Sequence, residues 1–151
     1  MGVGVPARAL LLTALVLAAS AVAAACAADE PSAPPITASV LIEPSADGAR
    51  WFRDVEVPKG TDGYELLEAV TEGDLQAEWF PEFRSHFVSG ILGVAPEGSA
   101  FWGVFVWNET NTSWEPLPVG ADLFSVKDGH VMGWALIEFD PDMPQLPVST
   151  P

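Results

Sequence analysis

The chain has 151 residues, of which 21 are acidic and six are basic, so its formal net charge is −15. This negative charge argues against nucleic acid as a partner, because phosphate backbones bind positively charged surfaces; its simplest role is to keep the protein soluble. The single cysteine excludes an internal disulfide bond, and the length suits one domain with one core rather than two.

The N-terminal segment predicts export. Arg8 is the only charged side chain before Cys26, and residues 9–25 are apolar except for two hydroxyl side chains. The stretch ends in small alanines and then becomes polar and rich in proline, which is typical of a cleaved signal and not of an anchored membrane helix. We therefore expect a signal peptide over residues 1–25 and an exported protein.

Cys26 is the candidate lipidation site. The sequence Val-Ala-Ala-Ala before it resembles the bacterial lipobox, in which small residues precede a cysteine that is diacylated. A lone thiol in an exported chain needs a role, and acylation supplies one. Residues 26–35, rich in Pro, Ala and Ser, would then be a lipidated tether. Ala23 stands where leucine is usual, so cleavage by ordinary signal peptidase, with the protein periplasmic or extracellular and not lipid-anchored, is the alternative.

The folded domain is predicted over residues 36–140 and begins with a hairpin. Thr37 to Ile42 is apolar and β-branched, and turn residues follow it. Residues 51–57 alternate with the period of a half-buried strand, which would place Trp51, Arg53, Val55 and Val57 on one face.

A helix is predicted next. Thr61 or Asp62 is positioned to cap it, and it would end near Gly73. The aromatic segment that follows, residues 75–87, is expected to be irregular with short helical turns, because Pro81 prevents one continuous helix. Further strands are predicted at residues 87–94, 101–107, 114–117 and 131–139, and residues 141–151 are predicted to be a flexible tail.

This order of a hairpin, a helix and more strands predicts an α+β fold. In the expected arrangement, which is β-grasp-like, one principal helix packs on one face of a mainly antiparallel sheet.

Three sequence blocks resemble the transcobalamin-like C-terminal domain of vitamin B12 carriers, which also occurs alone in bacterial surface lipoproteins. They are VEVPKGTDGYELLEAV at residues 55–70, FVSGILGV at residues 87–94 followed by Phe101-Trp102 and FVWN at residues 105–108, and VKDGHVMGW at residues 126–134. The resemblance implies the β-grasp-like fold and cobalamin or another corrinoid as the ligand. The chain departs from the family in having His130 where aspartate is common, and in a long insertion at residues 71–84.

Six tryptophans in one domain suggest an aromatic binding surface, because an indole offers a flat apolar face and a polar N–H. Trp102 and Trp107 have opposite parity on one predicted strand, so we expect them on opposite faces. Some tryptophans must form the core, and the remaining ones would contact a ligand. The candidate ligand-binding residues are Trp79, Phe80, Phe101, Trp102, Trp107 and Trp114.

The sequence predicts no catalytic or metal site. The two histidines, His86 and His130, lack metal-ligand spacing, and no nucleophile elbow, phosphate loop or zinc-protease motif occurs. We expect a non-enzymatic, exported lipoprotein module that requires no cofactor and binds a small ligand, with a transporter or surface protein as a further partner. The alternative is a cell-surface interaction domain that binds a protein or a glycan with the same aromatic residues.

Overall fold

The computed structural model describes Met1, residues 33–140, residue 142 and residues 145–151. The predicted signal peptide after Met1, the predicted lipidation site Cys26 and the tether as far as residue 32 lie outside the described residues. Within the described part of the chain, no helix combines the length and the apolar character needed to cross a membrane.

The described residues form seven strands, one α-helix and a short 3₁₀ helix. In chain order they are β1 (Ile36–Glu43), β2 (Arg50–Val57), α1 (Gly63–Thr71), β3 (Leu75–Phe80), β4 (Ser85–Ile91), β5 (Ala100–Asn108), β6 (Ser113–Pro116), the 3₁₀ helix (Ala121–Leu123) and β7 (Val131–Glu138).

Five strands form one sheet in the order β2-β1-β7-β5-β6, and β3 pairs with β4 in a separate two-stranded sheet. Every pair is antiparallel except β1 with β7, which run parallel. The α+β class, with a mainly antiparallel sheet and one principal helix, is confirmed.

Helix α1 begins with a capping box. The Asp62 carboxylate accepts hydrogen bonds from the N–H groups of Tyr64 and Glu65, and the Glu65 carboxylate accepts one from the Asp62 N–H. These bonds satisfy N–H groups that have no partner inside the helix. At the other end Glu72 and Gly73 adopt positive φ angles of 52° and 83°, which stops the helix where the sequence predicted.

The five-stranded sheet has a core on each face. Leu66, Leu67 and Val70 of α1 pack with buried strand residues on one face. A smaller cluster on the other face contains Leu41, Phe105, Trp114 and Ala135. Trp102 belongs to the first core and Trp107 packs against the second, so the prediction that they lie on opposite faces is confirmed.

Strand β2 departs from the predicted alternation. Ala38 pairs with Val55 but Val40 pairs with Phe52, so two residues of β2 oppose the single residue Ser39. One of them, Asp54, has a positive φ of 52°. This bulge turns Phe52 toward the helix-side core together with Val55, whereas Trp51 packs on the other face. The prediction that Trp51 and Val55 share a face is therefore wrong.

The aromatic segment is a hairpin and not the irregular helical segment that was predicted. Strand β3 ends at Phe80, and Pro81 begins a tight turn in which the N–H of Phe83 donates to the carbonyl of Phe80 and that of Arg84 to Pro81. Proline suits this turn because its φ is fixed and it has no N–H to donate. Strand β3 is mostly exposed, so it lacks the apolar alternation that would have predicted it.

The described residues after β7 differ from the predicted flexible tail, since they make specific contacts with the domain. The N–H groups of Val148 and Ser149 donate to the Glu43 carboxylate at 2.8 and 2.9 Å. The Trp114 indole N–H donates to the Ser149 carbonyl at 2.7 Å. These bonds attach residues 148 and 149 to the end of β1 and to β6.

Candidate functional site

An apolar groove of about 520 Å³ lies between the β3–β4 hairpin and the loop that leads into the 3₁₀ helix. Its volume is in the usual range for sites that bind small molecules. The residues that line it are Phe80, Phe83, Ser85, His86, Phe87, Val119, Gly120 and Leu123.

Large apolar side chains around this groove are exposed to solvent. Phe83 is 69% exposed, Phe87 is 52% exposed, and Val119 and Leu123 are 42% and 46% exposed. Trp79, on the hairpin beside His86, is 47% exposed. Apolar side chains that are contiguous and exposed indicate a surface that is covered by a ligand or a partner.

The imidazole of His86 is held by the Asp122 carboxylate. His86 Nδ1 lies 2.5 Å from Asp122 Oδ1, and the His86 backbone N–H donates to Oδ2 at 2.8 Å. The Ser85 hydroxyl also donates to Oδ2, at 2.9 Å. Burial alone would raise the pKa of Asp122, but these hydrogen bonds outweigh it and the pKa is lowered.

This arrangement fixes the tautomer of neutral His86. Because an ionised carboxylate only accepts hydrogen bonds, the proton of the neutral ring must sit on Nδ1. Nε2 then keeps its lone pair, which can accept a hydrogen bond or bind a metal ion.

Two aromatic rings fix the plane of His86. The Tyr64 ring is stacked on the imidazole, with 3.9 Å between centroids and 9° between planes. The Trp79 indole lies 5.0 Å away at 59°. Since Tyr64 comes from α1, Trp79 from β3 and Asp122 from the 3₁₀ helix, three elements orient one side chain of β4.

Gly120 allows the loop to approach β4 closely. A Cβ atom on Gly120 would lie 2.1 Å from Ser85 Oγ and 2.5 Å from Ser85 Cβ. These distances are far inside van der Waals contact, so a side chain at this position would push Asp122 away from Ser85 and His86.

The structure places the six predicted ligand-binding residues in three separate regions. Trp79 and Phe80 lie at the groove on the β3–β4 hairpin. Phe101 and Trp102 line a second groove of about 390 Å³, at the ends of β5 and β7.

The other two predicted residues, Trp107 and Trp114, pack edge to face at 5.3 Å on the sheet face opposite the helix. Trp102 and Trp114 are buried, with 6% and 4% of their surface exposed, and therefore belong to the core. The structure does not bring the six residues together on one surface, and contact of any of them with a ligand stays a prediction.

The sequence did not predict several residues that line the groove or hold His86 beside it. Phe83 and Phe87 belong to the aromatic segment at residues 75–87, from which only Trp79 and Phe80 were predicted to bind a ligand. Tyr64 and Leu123 carried no signal of a site, and neither did Asp122, which lies 36 residues from His86 in the sequence. Only the fold shows that these residues meet.

The charged side chains of the described region do not form a cation site. No group of three or more His, Cys, Asp or Glu residues within that region is arranged to hold a metal ion.

Solved structures with a similar fold are known. The haptocorrin structure in complex with Cbi, cobinamide, matches with a TM-score of 0.58 and 14% identity, over 70% of this chain and 25% of haptocorrin. A candidate metal-binding protein from Ruminococcus gnavus ATCC 29149 matches with a TM-score of 0.55 and 18% identity, over 70% of this chain and 99% of that protein.

These identities show a related fold and nothing finer, and this chain spans only a quarter of the haptocorrin chain. No known protein family and no curated protein matches the sequence.

Proposed function

We propose that this domain is a non-catalytic binding module that holds a flat, amphipathic small molecule in the groove between the β3–β4 hairpin and residues 119–123. The observation that carries the proposal is the pairing of exposed apolar side chains with one oriented imidazole. Apolar walls supply affinity by removing ligand surface from water, and one fixed polar group orients the ligand.

A corrinoid is the ligand class that we favour. The fold is related to that of haptocorrin, which binds cobinamide. The three sequence blocks that resemble the domain of vitamin B12 carriers also lie within this domain. A corrinoid is larger than a drug-sized ligand, so the groove would cover only part of one face. His86 Nε2 would accept a hydrogen bond from an amide of the ligand or approach its metal. The protein itself would require no cofactor.

The ligand would be captured outside the cytoplasm. A lipid on Cys26 would keep the domain at the membrane, where a transporter could receive the ligand. Mass spectrometry of the native N-terminus tests this part of the proposal, since the lipid adds mass to the residue that follows the signal. A Cys26→Ala protein that remains equally membrane-bound would rule out the anchor.

A second candidate function is binding of a protein or glycan through the same surface. The observation in its favour is the exposure of Phe83 and Phe87, which project at the hairpin tip and along β4. A partner with a broad apolar surface would bury both side chains, whereas a small ligand would leave much of Phe83 in water.

Calorimetric titration of the purified protein with cobinamide and with cobalamin tests the proposal. We expect saturable binding that Phe87→Ala weakens by about tenfold, because Phe87 is already half-buried and covering the rest of its side chain would contribute about 1.5 kcal/mol, the low end of the range for a large apolar side chain. The matched control is Phe139→Ala, because Phe139 is equally apolar and 76% exposed but lines the second groove.

The two variants separate the outcomes. Equal loss of affinity in both, or loss only in Phe139→Ala, would show that the groove on the hairpin is not the site. Absence of binding to either corrinoid in a folded protein would remove the corrinoid and leave the protein or glycan partner as the remaining candidate.

A further inference from the structure

The segment formed by residues 145–149, here called the C-terminal strap, is held on the domain mainly through main-chain atoms. Its consecutive N–H groups at Val148 and Ser149 donate to the two oxygens of one carboxylate, and the Ser149 carbonyl accepts from an indole N–H. Pro147 is buried against the domain, whereas Val148 is 66% exposed. Gln145 adds one side-chain contact, since its Oε1 accepts the Glu138 N–H at 2.9 Å. The contacts with Glu43 and Trp114, in contrast, involve only the backbone of Val148 and Ser149.

The carboxylate belongs to Glu43, the last residue of β1. Only 5% of Glu43 is exposed, although burial of a carboxylate is unfavourable unless it is paired or hydrogen-bonded. The strap supplies hydrogen bonds to both oxygens, Oε1 from Val148 and Oε2 from Ser149. Glu43 thus sits in the sheet as an acceptor for two successive peptide N–H groups.

The indole donor belongs to Trp114, and the sheet fixes its position. Its ring packs over Gly133, where a Cβ atom would lie 3.0 Å from the ring, and Trp51 and Trp107 pack against it. Because Trp114 is 4% exposed, its N–H has little access to water and depends on the Ser149 carbonyl. The donor and the acceptor are both in place on rigid strands, which is how a preorganised site is built.

We infer that Glu43 and Trp114 form a binding site for an extended peptide, which in this structure is filled by the chain's own strap. The ligand class is a proline followed by two residues that both carry an N–H group, with little demand on the first of their side chains. When the strap leaves, the site accepts the same main-chain pattern from another polypeptide.

The two backbone N–H groups that donate to Glu43 determine which peptides the site can bind. An N-methyl group or a proline at either of the two positions after the buried proline removes a donor to Glu43. A change of side chain at the position of Val148 leaves all three hydrogen bonds in place. The site therefore discriminates among peptides by their backbone N–H groups.

The test uses the full chain with Val148→Pro, which removes one of the two N–H donors to Glu43 and so weakens the attachment of the strap. The probe is a fluorescein-labelled peptide, Gln-Leu-Pro-Val-Ser-Thr-Pro, and the measurement is fluorescence anisotropy. We expect this variant to bind the peptide about tenfold or more tightly than the unchanged chain, whose tethered strap competes at high effective concentration. The control peptide, with N-methyl groups at Val and Ser, should bind about tenfold more weakly.

A second substitution tests whether the Glu43 carboxylate accepts the hydrogen bonds of the peptide. Adding Glu43→Gln to the Val148→Pro chain should weaken peptide binding by about tenfold, because a neutral amide accepts hydrogen bonds less strongly than a carboxylate. If circular dichroism shows that Val148→Pro does not fold, Ser149→Pro takes its place, since it keeps the Val148 N–H. A folded variant that binds neither peptide, or both equally, would overturn the inference.

Discussion

His86 shows how a single side chain acquires a defined chemical state from residues distant in sequence. Asp122 determines which nitrogen carries the proton, and Tyr64 and Trp79 determine the plane of the ring. Each contact alone is common in proteins. In the neutral ring they leave Nε2 with a lone pair beside exposed phenylalanines, and that combination supports the proposed site.

The lowered pKa of Asp122 predicts how stability depends on pH. Hydrogen bonds from His86 and Ser85 outweigh burial and favour the ionised carboxylate in the folded state, so the folded pKa lies below the ordinary value of 3.8. The stabilisation is therefore present above pH 3.8 and is lost as pH falls through the folded pKa.

Asp122→Asn should remove this part of the acid dependence. Urea unfolding measured between about pH 5 and pH 2 would show a shallower fall in the free energy of unfolding for the variant. Parallel curves for the variant and the unchanged protein would show that Asp122 does not contribute through its charge.

Gly120 is predicted to be intolerant of any side chain. Its φ of −60° suits every residue, so Gly120→Ala meets only the steric conflict with Ser85. We expect a loss of about 1–3 kcal/mol in the free energy of unfolding, measured by urea denaturation. The double variant with Ser85→Gly should lose less than the sum of the two single variants, and strict additivity would contradict the steric explanation.

At the scale of elements, α1 and the strands of the large sheet were largely predictable. The Asp62 cap, the apolar positions of the helix and the β-branched runs are local signals, and local physics determines those elements. The bulge in β2 was not predictable, because it depends on Ser39 of the neighbouring strand, whose hydroxyl accepts the Asp54 N–H. Strand β3 was missed because an exposed hairpin strand has no apolar alternation.

The capping box gives a prediction for the helix. Asp62→Ala removes the acceptor for two backbone N–H groups, so we expect a loss of about 1 kcal/mol in the free energy of unfolding. Thermal or urea unfolding measures this loss. Asp47→Ala, at an exposed position in the turn after β1, is the control and should change stability by less than about 0.5 kcal/mol. Equal effects of the two substitutions would count against the cap as the cause.

At the scale of the whole molecule, the fold class followed from the order of elements, but the site did not. The sequence placed the ligand on a tryptophan-bearing strand surface. The structure uses Trp102 and Trp114 in the two cores and places three exposed aromatic side chains, Trp79, Phe83 and Phe87, on the β3–β4 hairpin. Counting aromatic residues cannot separate core from site, because burial depends on which strands become neighbours.

The site also depends on contacts across the whole domain. Residues 64, 79, 86 and 122 meet only because α1, the hairpin and the 3₁₀ helix pack together. The spacing of these four residues in the sequence does not predict that they come into contact. This is the physical reason why the sequence predicts the fold class but not the site.

The most direct test of the central claim is an amide ¹H–¹⁵N spectrum of the purified protein recorded during titration with dicyanocobinamide. We predict saturable shifts confined mainly to residues 79–87 and 119–123, with Tyr64 also affected through its stacking on His86. Shifts centred on residues 101–107 and 136–139 would move the site to the second groove. An unchanged spectrum at saturating cobinamide would contradict corrinoid binding by this domain.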